Sequence, residues 1–303
     1  MASVIQSNLE AEPGALVGFD LSGYIESAAK YLAVHKARVI ADGGYIPDEN
    51  KTLDEFNFII DKGLSERISA YPFVSGGVKV DNDGNVLKVY SLFGPDFIPV
   101  MVAGSASPLP TIKLDSSGEM LGVRITLNNG GYYLRSEIPV VMQKSAGKQW
   151  LLSGRMKDYN LLDSAGITIG WGVGSATYAF METRKTAAIS NPWKYVCTHK
   201  LPVAAGSYVA ATQTPYADFV HSAGLFDSVA GKVFGYQDGS LAQVGSSDTG
   251  VLADMTGLNN YLWIGPTYLA QAGGVNVCDG IFSVARCMSM ATEKDAIALS
   301  SRA

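Results

Sequence analysis

Apolar residues recur at two different periods along this chain, and the change falls near residue 72. Before that point the spacing is helical. Ile25, Ala28, Leu32 and Val39 lie three, four and seven positions apart, with Lys30, Lys36 and Arg38 off the stripe. Ser22 is placed to cap this first helix and Gly43-Gly44 to end it, because glycine adopts the left-handed conformation that closes a helix. Pro47 then imposes a turn. A second helix is predicted from Thr52, which forms a capping box with Glu55. Its apolar stripe is Leu53, Phe56, Ile60, Leu64 and Ile68, with Gly63 inside it. Two amphipathic helices of this length are not stable alone, so they are expected to pack on each other, on the β part or on another subunit, and an assembling protein would bury the stripes of residues 22 to 69 partly between chains.

From Tyr71 onward the pattern is that of short strands between turns. Val78 to Val80 and Val86 to Tyr90 flank the turn Asp81-Asn82-Asp83-Gly84-Asn85, which predicts a hairpin. Further short apolar runs begin at Met120, Tyr132, Val140, Trp150, Ile167, Ala176, Trp193, Tyr208, Lys232, Leu241, Tyr261 and Gly280. The stretch from Pro95 to Leu114 carries Pro95, Pro99, Pro108 and Pro110 and reads as an extended crossing segment. Met290 to Leu299 predicts a short helix at most, with the last four residues frayed. No strand-to-helix alternation appears, so a doubly wound sheet is excluded and the fold class is mainly β. The architecture expected is an antiparallel jelly-roll sandwich preceded by a small α-helical N-terminal region. Residues 1–72 then form a helical attachment or oligomerisation region, 73–114 a hairpin and Pro-rich crossing, and 115–303 the jelly roll.

Composition narrows the function. Of 303 residues, 47% are hydrophobic and 17% charged, which allows a large core beneath a lightly charged surface. A net charge of −5 and no Lys/Arg stripe exclude a nucleic-acid partner. Every apolar run, including Ile98 to Ala103, is broken well before the roughly 20 residues of a membrane-spanning helix. The start, Met-Ala-Ser-Val-Ile-Gln, has no basic region ahead of an apolar stretch, so no secretory signal is expected. Cys197, Cys278 and Cys287 lack disulfide or metal spacing and read as buried small hydrophobes.

Candidate chemistry is sparse. The loop from Asp81 to Asn85 has the oxygen ligands of a calcium loop, but its glycine is fourth and the twelfth position is Leu92, so it reads as a turn. His35, His199 and His221 share no metal-ligand spacing, and Gly104-Ser105-Ala106 sits in a Pro-rich connector rather than a nucleophile elbow. Asp115, Asp163, Asp238, Asp248 and Asp279 fall in apparent turns. Glu182, near a strand end, has no second acid two residues away with which to form a glycosidase pair. No catalytic residue, metal ligand or cofactor site is therefore expected. Tyr132-Tyr133, Trp150, Trp171, Trp193 and Trp263 are expected to fill the core more often than to form a sugar-binding platform.

Three segments of the second half resemble the laminin G-like, concanavalin A-like jelly roll. They are Lys232 to Leu241 with its Asp238-Gly239 turn, Tyr261-Leu262-Trp263-Ile264-Gly265, and Asp279 to Arg286 followed by Thr292-Glu293-Lys294-Asp295. At the front, Ala37 to Gly44 with Leu53 and Phe56 to Ile59 resembles the helical lead-in of bacteriophage virion proteins that carry such a domain. Lys88 to Gly94 with Pro108-Leu109-Pro110 is similar to their crossing segment, with Ser91 where the family has aspartate. The resemblance implies a non-enzymatic tail- or head-fibre, adaptor or decoration protein, assembled in the bacterial cytoplasm and located in the virion. It further implies a homo-oligomer, with a trimer preferred, other virion proteins as partners, and host surface glycans as an alternative ligand. No calcium pair stands at the matching positions, so no metal is carried over.

Overall fold

The computed structural model describes residues 27–102, 108–128, 131–143, 149–158, 167–172, 179–186, 194–200, 207–213, 219–246, 255–257, 259–265 and 277–302. The first helix, α1 (Ala28–Ala41), follows Ser27, and Ser22 lies outside the described residues. Its buried face is Ala28, Tyr31, His35 and Val39. The second, α2 (Glu49–Asp61), starts earlier than predicted, because Asp48 is its cap and accepts from the Lys51 N–H. Thr52 and Glu55 therefore do not form the capping box. They lie on the buried face with Phe56 and Ile59, and the Thr52 hydroxyl bonds the Asp48 and Ser75 carbonyls. Gly63, expected inside the helix, lies beyond its end at φ 59, the left-handed conformation that stops it.

Strands are numbered in chain order. Sheet I has eight: β16 (Ser240–Ser246), β15 (Lys232–Gln237), β14 (Val220–Asp227), β9 (Gln149–Asp158), β19 (Val277–Ser289), β6 (Met120–Asn128) and β5 (Thr111–Leu114) in that order, with β1 (Ile68–Ala70) also on β19. Sheet II has nine: β13 (Ser207–Gln213), β12 (Lys194–Lys200), β11 (Ala179–Thr186), β10 (Thr168–Gly172), β18 (Leu262–Gly265), β7 (Gly131–Ser136), β4 (Phe97–Val102), β3 (Val86–Val89) and β2 (Val78–Val80). The short strands β8 (Val140–Val141) and β17 (Asn259–Asn260) pair apart from both. The ladders that build both sheets are antiparallel, from β14 on β15 to β2 on β3, so the protein is the mainly β antiparallel sandwich its sequence predicts.

Two parts of the predicted crossing segment are strands. β4 pairs with β7 along its length but with β3 only at Phe97, leaving most of one edge free, where Pro99 is tolerated. β5 pairs with β6 through a turn held by Asp115. β14, which has no run of its own in the sequence reading, is buried on both faces. Ser222, Ala223 and Gly224 dilute its apolar signal while fitting a crowded centre.

The first core lies between the sheets around Trp150, Trp171, Phe97, Ile169 and Phe226. Gly154 lets the layers approach, since a Cβ there would stand 2.1 Å from the Ile169 Cδ1. A second core covers the outer face of sheet I, where Leu151, Leu225, Val284 and Met288 meet Tyr31, Phe56 and Ile59 of the helices. The helix α3 (Glu293–Ser301) adds Ala296 and Leu299 and is capped by a reciprocal Thr292–Asp295 box. Its end is tied down instead of frayed: Ser300 is buried and Arg302 bonds both Glu55 and the Asp54 carbonyl. The stripes of α1 and α2 are thus covered by the chain itself, which removes the need for a second subunit on those faces.

Candidate functional site

Strand alternation decides what each face presents. In sheet II, Leu134, Ile169, Trp171, Leu262 and Ile264 enter the core, which turns Tyr133, Arg135, Gly170, Trp263 and Gly265 to the outer face. The register sets Arg135, Trp263, Gly170 and Glu182 in one row across β7, β18, β10 and β11. The row is flat because two glycines make room. A Cβ on Gly170 would lie 2.3 Å from the Trp263 ring, and one on Gly265 would lie 2.7 Å from the Tyr133 Cβ.

Arg135 is the charged centre of this face. Its guanidinium carbon sits 4.0 Å from the centroid of the Tyr261 ring, within cation–π range. Burial raises the Tyr133 hydroxyl above its ordinary pKa, while the charge of Arg135 and a hydrogen bond from it pull the other way. Tyr133, Arg135 and Tyr261 are half-exposed, whereas Trp263 is 3% exposed. The Trp263 Nε1 and the Arg135 Nε are buried donors with no acceptor among the described residues. Such a donor costs about 1–3 kcal/mol, so two on directly paired residues mark this face as unsaturated. Half-exposed aromatic rings beside the exposed part of the Arg135 guanidinium can hold an oxygen-rich ligand.

The acids are organised differently. Among the described residues, four of the five buried carboxylates pair with an arginine: Glu55 with Arg286 and Arg302, Asp96 with Arg38, Asp279 with Arg124, and Asp295 with Arg67. The fifth, Glu182, is partnered as well. Asp279, expected in a turn, lies within β19 and takes two bonds from Arg124, each of 2.8 Å. Asp81 accepts from the backbone of Asp83 and Asn85, and Asp115 is used in the same way, so both are turn residues. Bonds from Asn85 hold the Asp81 carboxyl below its usual range. No group of three or more His, Cys, Asp or Glu side chains placed to hold a metal occurs among the described residues.

His35 is buried, its Nε2 bonded to the Gly76 carbonyl and its Nδ1 to Arg38, and desolvation with the Arg38 charge lowers its pKa to about 4. Beside it, Asp96 accepts from the Ser91 N–H and from Arg38, supplying from five residues on the carboxylate that Ser91 lacks. Cys278 and Cys287 are buried small side chains, as expected, and the Cys278 thiol donates to the Ile125 carbonyl. Residues 104–106, Asp163, Asp248, Trp193, and the side chains of His199 and Cys197, lie outside the described residues. Of the tryptophans, Trp150 and Trp171 fill the core and Trp263 takes the outer face. Arg135 carries no motif in the sequence, and Tyr261 stands there only as the start of a strand. Their signal is the outward positions of Tyr133-Leu134-Arg135 and Tyr261-Leu262-Trp263, which become neighbours only once β7 and β18 are paired.

Neither a family model nor a curated protein matches the chain. Among solved structures it is similar to domain 4 of AbnA, a GH43 extracellular arabinanase from Geobacillus stearothermophilus in complex with arabinotriose. That match has 13% identity and a TM-score of 0.49 over 77% of this chain and 98% of that one. It is also similar to a Trypanosoma rangeli sialidase, at 10% identity and TM-score 0.45, over 83% of this chain and 39% of that one. For botulinum neurotoxin type C, described for its interaction with two ganglioside molecules, the values are 9%, 0.46, 78% and 51%. The chain thus spans well under two thirds of the sialidase and the toxin, and likenesses at these scores transfer no residue role and no activity.

Proposed function

We propose that this chain is a non-enzymatic structural component of a bacteriophage particle, of the fibre, adaptor or decoration type, whose sandwich adheres to glycans through the outer face of sheet II. The observation that carries the adhesive part is the grouping of Tyr133, Tyr261 and Trp263 around Arg135. Tyrosine rings give the C–H faces of a sugar an apolar plane, and the guanidinium gives its oxygens a donor. Against turnover stands the use of the acids: a hydrolase needs two carboxylates roughly 5–10 Å apart across a cleft, and Glu55, Asp96, Asp279 and Asp295 are held by arginines. The virion location, the partner proteins there and a trimeric assembly rest on the resemblance of residues 37–59 and 88–110 to phage virion proteins that carry a jelly roll. Since α1 and α2 are covered within the chain, attachment to the particle uses other surfaces.

A glycan array with the purified chain tests the adhesive part. Binding that Tyr261→Ala abolishes supports it, and an array without signal above background overturns it. Mass spectrometry of purified particles tests the location. The chain is expected at stoichiometric copy number, and its absence from particles removes the virion reading.

A further inference from the structure

The outer face of sheet II carries an arginine treated unlike its neighbours. Arg38, Arg67, Arg124, Arg286 and Arg302 each hold a carboxylate at 2.6–2.8 Å. Arg135 has no acidic partner among the described residues. Among the described residues it meets the Tyr261 ring and the Tyr133 hydroxyl, and its buried Nε finds no acceptor. The directly paired Trp263 places a second buried donor without an acceptor beside it. A half-exposed guanidinium beside two aromatic side chains, with no acidic partner among the described residues, has the complement of a planar anion. The nearest acid in its row, Glu182, stands three strands away, roughly 14 Å at the usual strand spacing, and is already partnered.

We propose that Arg135 selects saccharides that carry a carboxylate, such as a uronic or nonulosonic acid. The carboxylate takes the guanidinium fork while Tyr133 and Tyr261 flank the sugar ring. This inference rests on the adhesive reading above and fixes the chemical class of its ligand. Arg135 acts here as a binding residue only. Trp263, paired with Arg135 across β7 and β18, lays its indole over Gly170.

The test is isothermal titration of the full chain with matched pairs: trigalacturonic acid against its methyl ester, 3′-sialyllactose against lactose, and 3′-sulfated lactose against lactose. At least one carboxylated sugar is expected to bind about tenfold more tightly than its neutral partner. That preference should shrink as salt rises from about 50 to about 500 mM, because screening weakens the charge contact and not the stacking. Arg135→Gln should equalise the pair, and Arg135→Lys, which keeps the charge but loses the fork, should restore only part of the preference. Equal binding of acid and neutral sugars by the wild type overturns the inference and leaves glycan adhesion standing. So does a preference confined to the sulfated sugar, or one that survives Arg135→Gln. Binding of none of the sugars, together with a silent glycan array, overturns both. The salt series on the unaltered chain gives an answer even if the variants fold poorly.

Discussion

The two outer faces of the sandwich differ in what covers them. On sheet I, helices cover Leu151, Leu225, Val284 and Met288, and the cations beneath them are matched to acids across more than 220 residues of chain. On sheet II, cation and aromatics lie together with donors left over. Buried polar atoms without a partner occur on both sheets, Ser153 Oγ and His221 Nδ1 on sheet I among them, so what distinguishes the faces is that helices cover one while the other keeps a half-exposed guanidinium with no acidic partner among the described residues. The contrast separates residues that hold the fold from residues available for recognition, which residue type alone does not.

The contrast breaks most severely at Glu55. This carboxylate and Arg286 are 3% and 1% exposed at the side chain, and Arg302 closes the cluster from the chain end. Glu55→Ala strands the Arg286 charge beneath α2 and is expected to cost about 3–5 kcal/mol, read as a lower urea midpoint. Replacing Glu55 and Arg286 by methionine together should recover much of the loss, since the desolvation cost vanishes with both charges. A Glu55→Ala protein as stable as wild type means that sheet I is not clamped as described.

His35 sharpens the contrast through pH. Its pKa falls from 6.5 in the unfolded chain to about 4 in the fold, so the unfolded state binds the extra proton first. The contribution is therefore complete above the ordinary histidine value and is lost as pH falls toward the folded one. It amounts to about 3 kcal/mol between about pH 7 and about pH 4. Protonation also places a cation against Arg38, which Asp96 and the Ser91 carbonyl hold in position. His35→Gln keeps a donor for the Gly76 carbonyl and should flatten the urea midpoint across this range relative to wild type. An unchanged slope assigns the acid sensitivity elsewhere.

The sequence exposes these faces unequally, for physical reasons. Period-2 alternation and Asp/Gly turns are local, so the hairpin at Asp81–Asn85, the Asp238-Gly239 turn and most strands are readable directly. β4 is hidden by Pro99, whose meaning depends on which edge is free, and β14 by its small central residues. The helical caps mislead because Thr52 and Glu55 have the capping-box spacing but are needed for long-range bonds to Ser75 and Arg286. The site is the least legible part. Arg135 and Tyr261 are 126 positions apart by number, and nothing short of the β7–β18 register joins them.

The smallest effect on stability is expected where the effect on binding is greatest. Tyr261 is half-exposed and its partner is a cation that water can solvate, so Tyr261→Ala should cost only about 0.5–1 kcal/mol in a urea titration. The same substitution removes one wall around Arg135 and should abolish the glycan signal. Tyr71 on the other face is the matched control, since it also lies against an arginine, 4.9 Å from Arg286, but is fully buried and accepts a bond from it. Tyr71→Ala should destabilise by about 3–5 kcal/mol and leave saccharide binding by the remaining folded fraction unaltered. If the two tyrosines exchange these phenotypes, the division of labour between the faces is reversed. If both changes are mild and neither touches binding, the aromatic–arginine grouping on sheet II is packing alone.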